Sequence, residues 1–237
     1  MSDVAGVDGC KAGWLVVVIS TTPAVSITRT FVAEDFAEVL EETADCAAVA
    51  VDMPIGIPEI VEKGGRQCDK EARARLKPHG SRVFPSPARA VLTASTYEEA
   101  KLANQRNSEG MNSISKQTWA IVPKIADVDA AMTPELQQRV IEIHPELCFW
   151  QLNEETPVSL KKSTMAGALV RMTLLAEVGL VSETLNNVPT VPGADLDDVL
   201  DATVAAWTAL RYSRGEAIRV PSQPPLDGRG LRMEMWT

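Results

Sequence analysis

VAGVDGCKAGWLVVVIS, residues 4–20, is the stretch whose reading decides the fold. Val4 to Asp8 is a short apolar run closed by an acid, and Trp14 to Ile19 is a second run dense in valine. Gly9 and Gly13 flank the turn between them, which predicts two paired strands. Working outward, residues 24–32 alternate at Val25 and Ile27 and predict a third strand, so that the three form a meander. A helix is expected near 34–44, where Phe36, Val39 and Leu40 follow helical spacing behind an acidic first turn. Residues 47–52, AAVAVD, are an unbroken small-apolar run ending in Asp52. A strand buried on both faces reads this way and implies a parallel neighbour in a layered α/β sheet. If the fourth strand pairs with the first, Asp8 and Asp52 stand side by side.

Residues 54–135 interrupt that plan. Pro54, Pro58, Gly64, Gly65, Pro78, Gly80, Pro85 and Pro87 punctuate them. Helices are predicted at about 69–77, at 96–106 behind the capping-box pair Thr96 and Glu99, and at 113–131 with a kink at Pro123. The block reads as a mainly helical cap inserted after the fourth strand of one domain spanning 1–237. The sheet resumes at 139–144, RVIEIH, where Ile141 and Ile143 face one side and Glu142 and His144 the other, and Pro145 stops it. A helix over 163–178 ends at Gly179, and a last helix over about 197–213 is rich in alanine. Residues 221–237 carry no assignable pattern.

Composition narrows the classes. The net charge is −9, yet residues 60–125 hold 12 Lys+Arg against 6 Asp+Glu, while the rest holds 11 against 26. A basic segment on an acidic body suits a polyanion such as nucleic acid. The four cysteines, Cys10, Cys46, Cys68 and Cys148, form no C-x-x-C pair, so zinc-ribbon and thioredoxin spacing is missing. Scattered thiols, an N-terminus without a basic leader and no long apolar run point to a reduced, cytoplasmic protein with no membrane span.

Carboxylates recur where strands and helices end: Asp8, Asp52, Glu142, and the pair Asp198 and Asp201 three apart in D-x-x-D-A. In layered α/β sheets functional groups gather at strand ends. Clustered carboxylates repel until one neutralises or a cation arrives. The hard oxygen donors suit Mg²⁺ or Mn²⁺, and such ions can drive an in-line displacement at phosphorus. His144 is open to two readings, a proton shuttle beside Glu142 or a structural histidine before Pro145. Lys124, and Lys161 with Lys162, are candidate phosphate contacts.

Seven stretches, GVDGCKAGW (6–14), VDMPIGIP (51–58), R-x-x-D-x-x-A-R-x-x-L (66–76), VFPSPAR (83–89), GMNSISKQTWAIVPKI (110–125), EIHPELCFW (142–150) and DDVLDA (197–202), resemble a predicted RNase H-like nuclease family, catalogued as domain-of-unknown-function family 429. The resemblance implies an α/β, RNase H-like mixed sheet flanked by helices. It also implies metal-binding acids: Asp8 from the first strand, Asp52 or Glu142 as the next ligand, and Asp198 and Asp201 as a C-terminal helix pair like that of junction resolvases. Two other classes compete. An actin-like phosphotransferase shares the core plan, but Cys10 and Lys11 stand where that class prefers hydroxyls. A non-catalytic nucleic-acid-binding module would keep the acids for folding alone.

Overall fold

A computed structural model describes residues 3–22, 24–110, 112–180 and 193–237. The chain divides into two compact units. The first comprises Met1–Met53, Arg139–Ile218 and Trp236–Thr237, and the second Pro54–Gln138 and Arg219–Met235.

The first unit is built on a mixed five-stranded sheet. Its strands are β1 (Val4–Cys10), β2 (Gly13–Ser20), β3 (Ser26–Ala33), β4 (Ala48–Val51) and β5 (Val140–Glu142), in the order β3-β2-β1-β4-β5. β1, β2 and β3 form the expected antiparallel meander, with Cys10 opposite Gly13 across the turn. β4 pairs with β1 in parallel, Val7 beside Val51, and β5 continues in parallel beyond it, Val51 beside Glu142. Helix α1 (Phe36–Glu42) bridges β3 to β4 and is capped by Asp35, which accepts the Glu38 N–H at 2.9 Å. Phe36 packs edge-on against Trp14, ring centroids 5.2 Å apart, on one face of the sheet.

The opposite face is covered by α5 (Pro145–Leu152), α6 (Met165–Glu177) and the long α7 (Leu196–Ser213). Leu15, Val17, Ile19, Ala50, Ile141 and Ile143 meet Ala202, Ala205, Ala206 and Ala209 of α7 in one core. Alanines let the helix come close, and Gly6 lets it closer still. A Cβ on Gly6 would lie 2.1 Å from both the Ala202 carbonyl oxygen and the Ala206 nitrogen, so only glycine admits α7 over the middle of β1. This close fit holds the N-terminal half of α7 near the ends of β1 and β4.

α6 ends as expected. Gly179 takes φ +83°, its N–H reaches the Ala176 carbonyl at 2.9 Å, and the Leu180 N–H reaches that of Leu175 at 2.9 Å. That is the paired-bond stop for which glycine is suited. One expectation needs correction: Pro145 ends β5 but also opens α5, a helix absent from the sequence reading. Proline fits the first helical turn, where its missing N–H has no partner to lose.

The second unit holds α2 (Gln67–Arg75), α3 (Tyr97–Arg106) and α4 (Lys116–Ala131), with Pro123 inside α4. Thr96 caps α3 as expected, accepting the Glu99 N–H at 3.2 Å. The buried charges described in this unit are paired. Arg66 bonds Asp69 at 2.9 Å with both side chains buried, and it also donates to the Ile55 and Gly56 carbonyls. Arg89 joins Asp129 at 2.7 Å and Asp227 at 2.6 Å, which ties the unassigned C-terminal stretch to the inserted helices. Among the described residues no helix is long and apolar enough to cross a membrane.

Candidate active site

Three carboxylates meet in the first unit. Asp8 lies near the end of β1, and Asp52 follows β4 directly. The Asp52 N–H donates to the Val7 carbonyl at 3.0 Å, extending the parallel ladder by one step, so Asp8 and Asp52 are register neighbours. They share the sheet face that α7 covers. Asp201, in the second turn of α7, is 1% exposed and completes the group from above.

The local fold dictates each position. Asp8 accepts its neighbour's Gly9 N–H at 2.8 Å, which orients one carboxylate oxygen back on the strand end. Asp195 and Asp198 start α7 as a reciprocal cap, the Asp195 N–H bonding Asp198 Oδ2 at 2.8 Å. One turn further, Asp201 is too deep to serve the helix end. Its Oδ2 accepts Lys162 Nζ at 2.5 Å, and its Oδ1 is buried without a partner. Lys162 also stands 3.8 Å from Asp197.

Lys162 sits on the loop before α6, and that loop is anchored. Buried Arg171 donates to the Leu160 carbonyl at 3.2 Å, to the Gly167 carbonyl at 3.0 Å and to Glu146 Oε1 at 2.5 Å. Its guanidinium also lies over the Phe149 ring, 5.3 Å from the centroid. Gly167 lets the Lys161 carbonyl press against the first turn of α6, where a Cβ would lie 1.9 Å away.

The electrostatics follow from this crowding. Burial, then Asp52, then Asp201 push the Asp8 carboxyl well above the usual carboxylate range, and Lys162 opposes them. Asp52 is pushed up to about 8, first by burial and then by Asp201, with Glu142 and Glu146 adding. Asp201 rises to about 6 through burial, held down by Lys162. Lys162 is raised by Asp201 and then by Asp8 and Asp52, against its own desolvation. One ammonium group cannot balance two buried carboxylates and the half-buried Asp52, so at neutral pH the group must hold protons or take up a further cation.

A hard divalent ion suits this donor set. Every ligand is a carboxylate oxygen, Asp201 Oδ1 is an orphaned acceptor, and the group carries excess negative charge. The oxygens of Asp8, Asp52 and Asp201 do not all lie within 4.8 Å of one another.

The other candidates fall out as follows. Asp198 stays at the edge as a helix cap, although its charge still reaches Asp8. Glu142 is in register with Val7 and Val51, so its side chain leaves the sheet on the face opposite Asp8 and Asp52. Its charge is felt at Asp52, but it does not join the three acids. His144 caps α5, its Nδ1 accepting the Glu146 N–H at 3.2 Å, which favours the structural reading. Lys161 is exposed, and its neighbour Lys162 is the lysine that enters the group. Lys124 lies on α4 in the second unit. Glu146 and Arg171 were not singled out in the sequence. Their 25-residue separation leaves no local pattern, and only burial of a charged Arg171 reveals them.

Residues 6–226 match the family model for proteins of unknown function DUF429, and the chain belongs to that family. No curated protein and no solved structure matches the chain.

Proposed function

We propose that the first unit is an RNase H-like catalytic domain that hydrolyses phosphodiester bonds with divalent metal. The single observation that carries this reading is the gathering of Asp8 and Asp52, at the ends of adjacent parallel strands, with Asp201 of α7, whose buried Oδ1 is left unpaired. The three-strand meander followed by a helix and a parallel strand supports the fold assignment.

Asp8, Asp52 and Asp201 would hold Mg²⁺ or Mn²⁺, which supplies a nucleophilic water and stabilises charge on the phosphoryl oxygens. The remaining work belongs to the chain. Lys162 Nζ, partly exposed beside Asp201, is placed to attract an incoming phosphate as a flexible point charge. Arg171 fixes the backbone on which Lys162 stands, so the ammonium is presented from a defined direction. The aliphatic stem of α7 and the apolar core beneath the acids limit water on the buried side. Nucleic acid is the proposed substrate class, drawn in part by the basic segment 60–125.

The test is purified protein with Mg²⁺ or Mn²⁺ against single-stranded, branched and hybrid substrates. Cutting that depends on metal and disappears in Asp8→Asn and in Asp201→Asn is expected. Absence of cutting on every substrate, or cutting that survives both substitutions together, overturns the reading.

A further inference from the structure

The second unit contains a cavity of about 300 Å³ that the proposed chemistry does not use. Two of the stretches singled out in the sequence, VFPSPAR and GMNSISKQT, supply much of its wall, and the Gly64–Gly65 turn supplies another side. The cavity is built rather than incidental. Buried Asn104 holds two walls together, accepting the Ala88 N–H at 2.9 Å through Oδ1 and donating to the Asn112 carbonyl at 2.8 Å through Nδ2. Gly65, at φ +88°, admits no side chain, since a Cβ there would lie 2.6 Å from Asp69 Oδ2 and 2.8 Å from Pro85.

The lining has two characters. Phe84, 46% exposed, and the neighbouring Pro85 present flat apolar surfaces at the opening. The lining also holds small polar groups, among them Ser113, Ser115 and Thr118, of which the last two bond each other at 3.0 Å. An aliphatic ligand would leave these polar groups unused, and an anionic one would gain nothing from the face of the phenyl ring. A planar ring with hydrogen-bonding edges uses both. The volume of about 300 Å³ admits one such ring system with room for its sugar or for water. Lys63 and Glu62, both exposed, line the cavity together, and Lys116 is exposed next to Ser115, within a segment whose local charge is positive.

We propose that this cavity binds a single unstacked nucleobase, with Phe84 as the stacking platform. The base can come from a single-stranded nucleic acid or from a free nucleotide, and the chemistry that recognises it is the same. The inference shares only its ligand class with the proposed hydrolysis, and its test reads binding in the absence of divalent metal, so either can fail alone.

The experiment uses the full chain in EDTA. Fluorescence anisotropy follows a labelled single-stranded ten-nucleotide oligomer, an abasic oligomer of equal length and, as competitors, unlabelled mononucleotides. Wild type is expected to bind the base-containing oligomer or a mononucleotide in preference to the abasic strand. Base stacking on an aromatic side chain predicts a loss of about tenfold or more for Phe84→Ala, with Phe84→Tyr retaining affinity. Competition by mononucleotides identifies a free nucleotide as the source, and binding of the strand alone identifies single-stranded nucleic acid. Equal affinity for the abasic strand, or a Phe84→Ala variant that folds and binds like wild type, overturns the proposal, as does a wild type that binds none of the probes.

Discussion

Asp52→Asn is the substitution that most sharply separates a strained acidic group from an ordinary turn. The Asp52 carboxyl is pushed from an ordinary value of 3.8 to about 8 by burial and by Asp201. An acid with a raised folded pKa binds more protons folded than unfolded, so stability contributed by this group falls as pH rises through the window from about 4 to about 8. At ~1.36 kcal/mol per pH unit the full difference is worth ~6 kcal/mol. Asp52 keeps some contact with solvent, and screening there cuts the figure to roughly 3 kcal/mol. Asparagine keeps the shape and removes the charge. For a chain of this size ~1 kcal/mol moves Tm by roughly 2–4 °C. Metal-free Asp52→Asn is therefore expected to melt roughly 6–12 °C above wild type at pH 8, with the gap closing towards pH 4. Differential scanning calorimetry in EDTA across that range measures it. A variant less stable than wild type at pH 8, or a gap that does not change with pH, refutes the account of the cluster.

Other substitutions probe the scaffold. Gly6→Ala drives a methyl group into the backbone of α7 and is expected to lower stability by at least ~3 kcal/mol, the upper part of the range for overpacking, in urea titration. Arg171→Met leaves Glu146 buried without its partner and is expected to cost about 3–5 kcal/mol by the same measurement, with Arg171→Met/Glu146→Leu recovering much of the loss. Cys148 is buried and its thiol is pushed up to about 12, so iodoacetamide at pH 8 is expected to leave it unmodified in the native protein and to label it rapidly in denaturant; mass spectrometry distinguishes the two.

The meander and the parallel β4 were legible because their side chains follow simple periods: valine runs for strands buried on both faces, glycines at the turn. The adjacency of Asp8 and Asp52 followed from the same topology, and Asp201 stood out as an acid too deep in a helix to be a cap. Glu142 shows where the period was read correctly and its consequence was not. Alternation put Glu142 opposite Ile141 and Ile143, but Asp52 is in step with Ile143, so the two acids leave opposite faces. Which of two adjacent lysines enters the group depends on a loop held by Arg171, a contact with no sequence period. The C-terminal stretch joins the second unit through Asp227 and Arg89, residues 138 apart, which no local pattern can signal. Pro145 carried two meanings, strand stop and helix start, and only the cap formed by His144 selects the second.

Manganese binding to the purified, metal-stripped protein, read by electron paramagnetic resonance at pH 7.5, bears most directly on the three acids of β1, β4 and α7. Wild type is expected to take up Mn²⁺ with saturation, and Asp201→Asn to lose that uptake while remaining folded. A wild-type protein that leaves Mn²⁺ free in solution, or an Asp201→Asn variant that binds it as tightly, contradicts the claim that these carboxylates form one cation site.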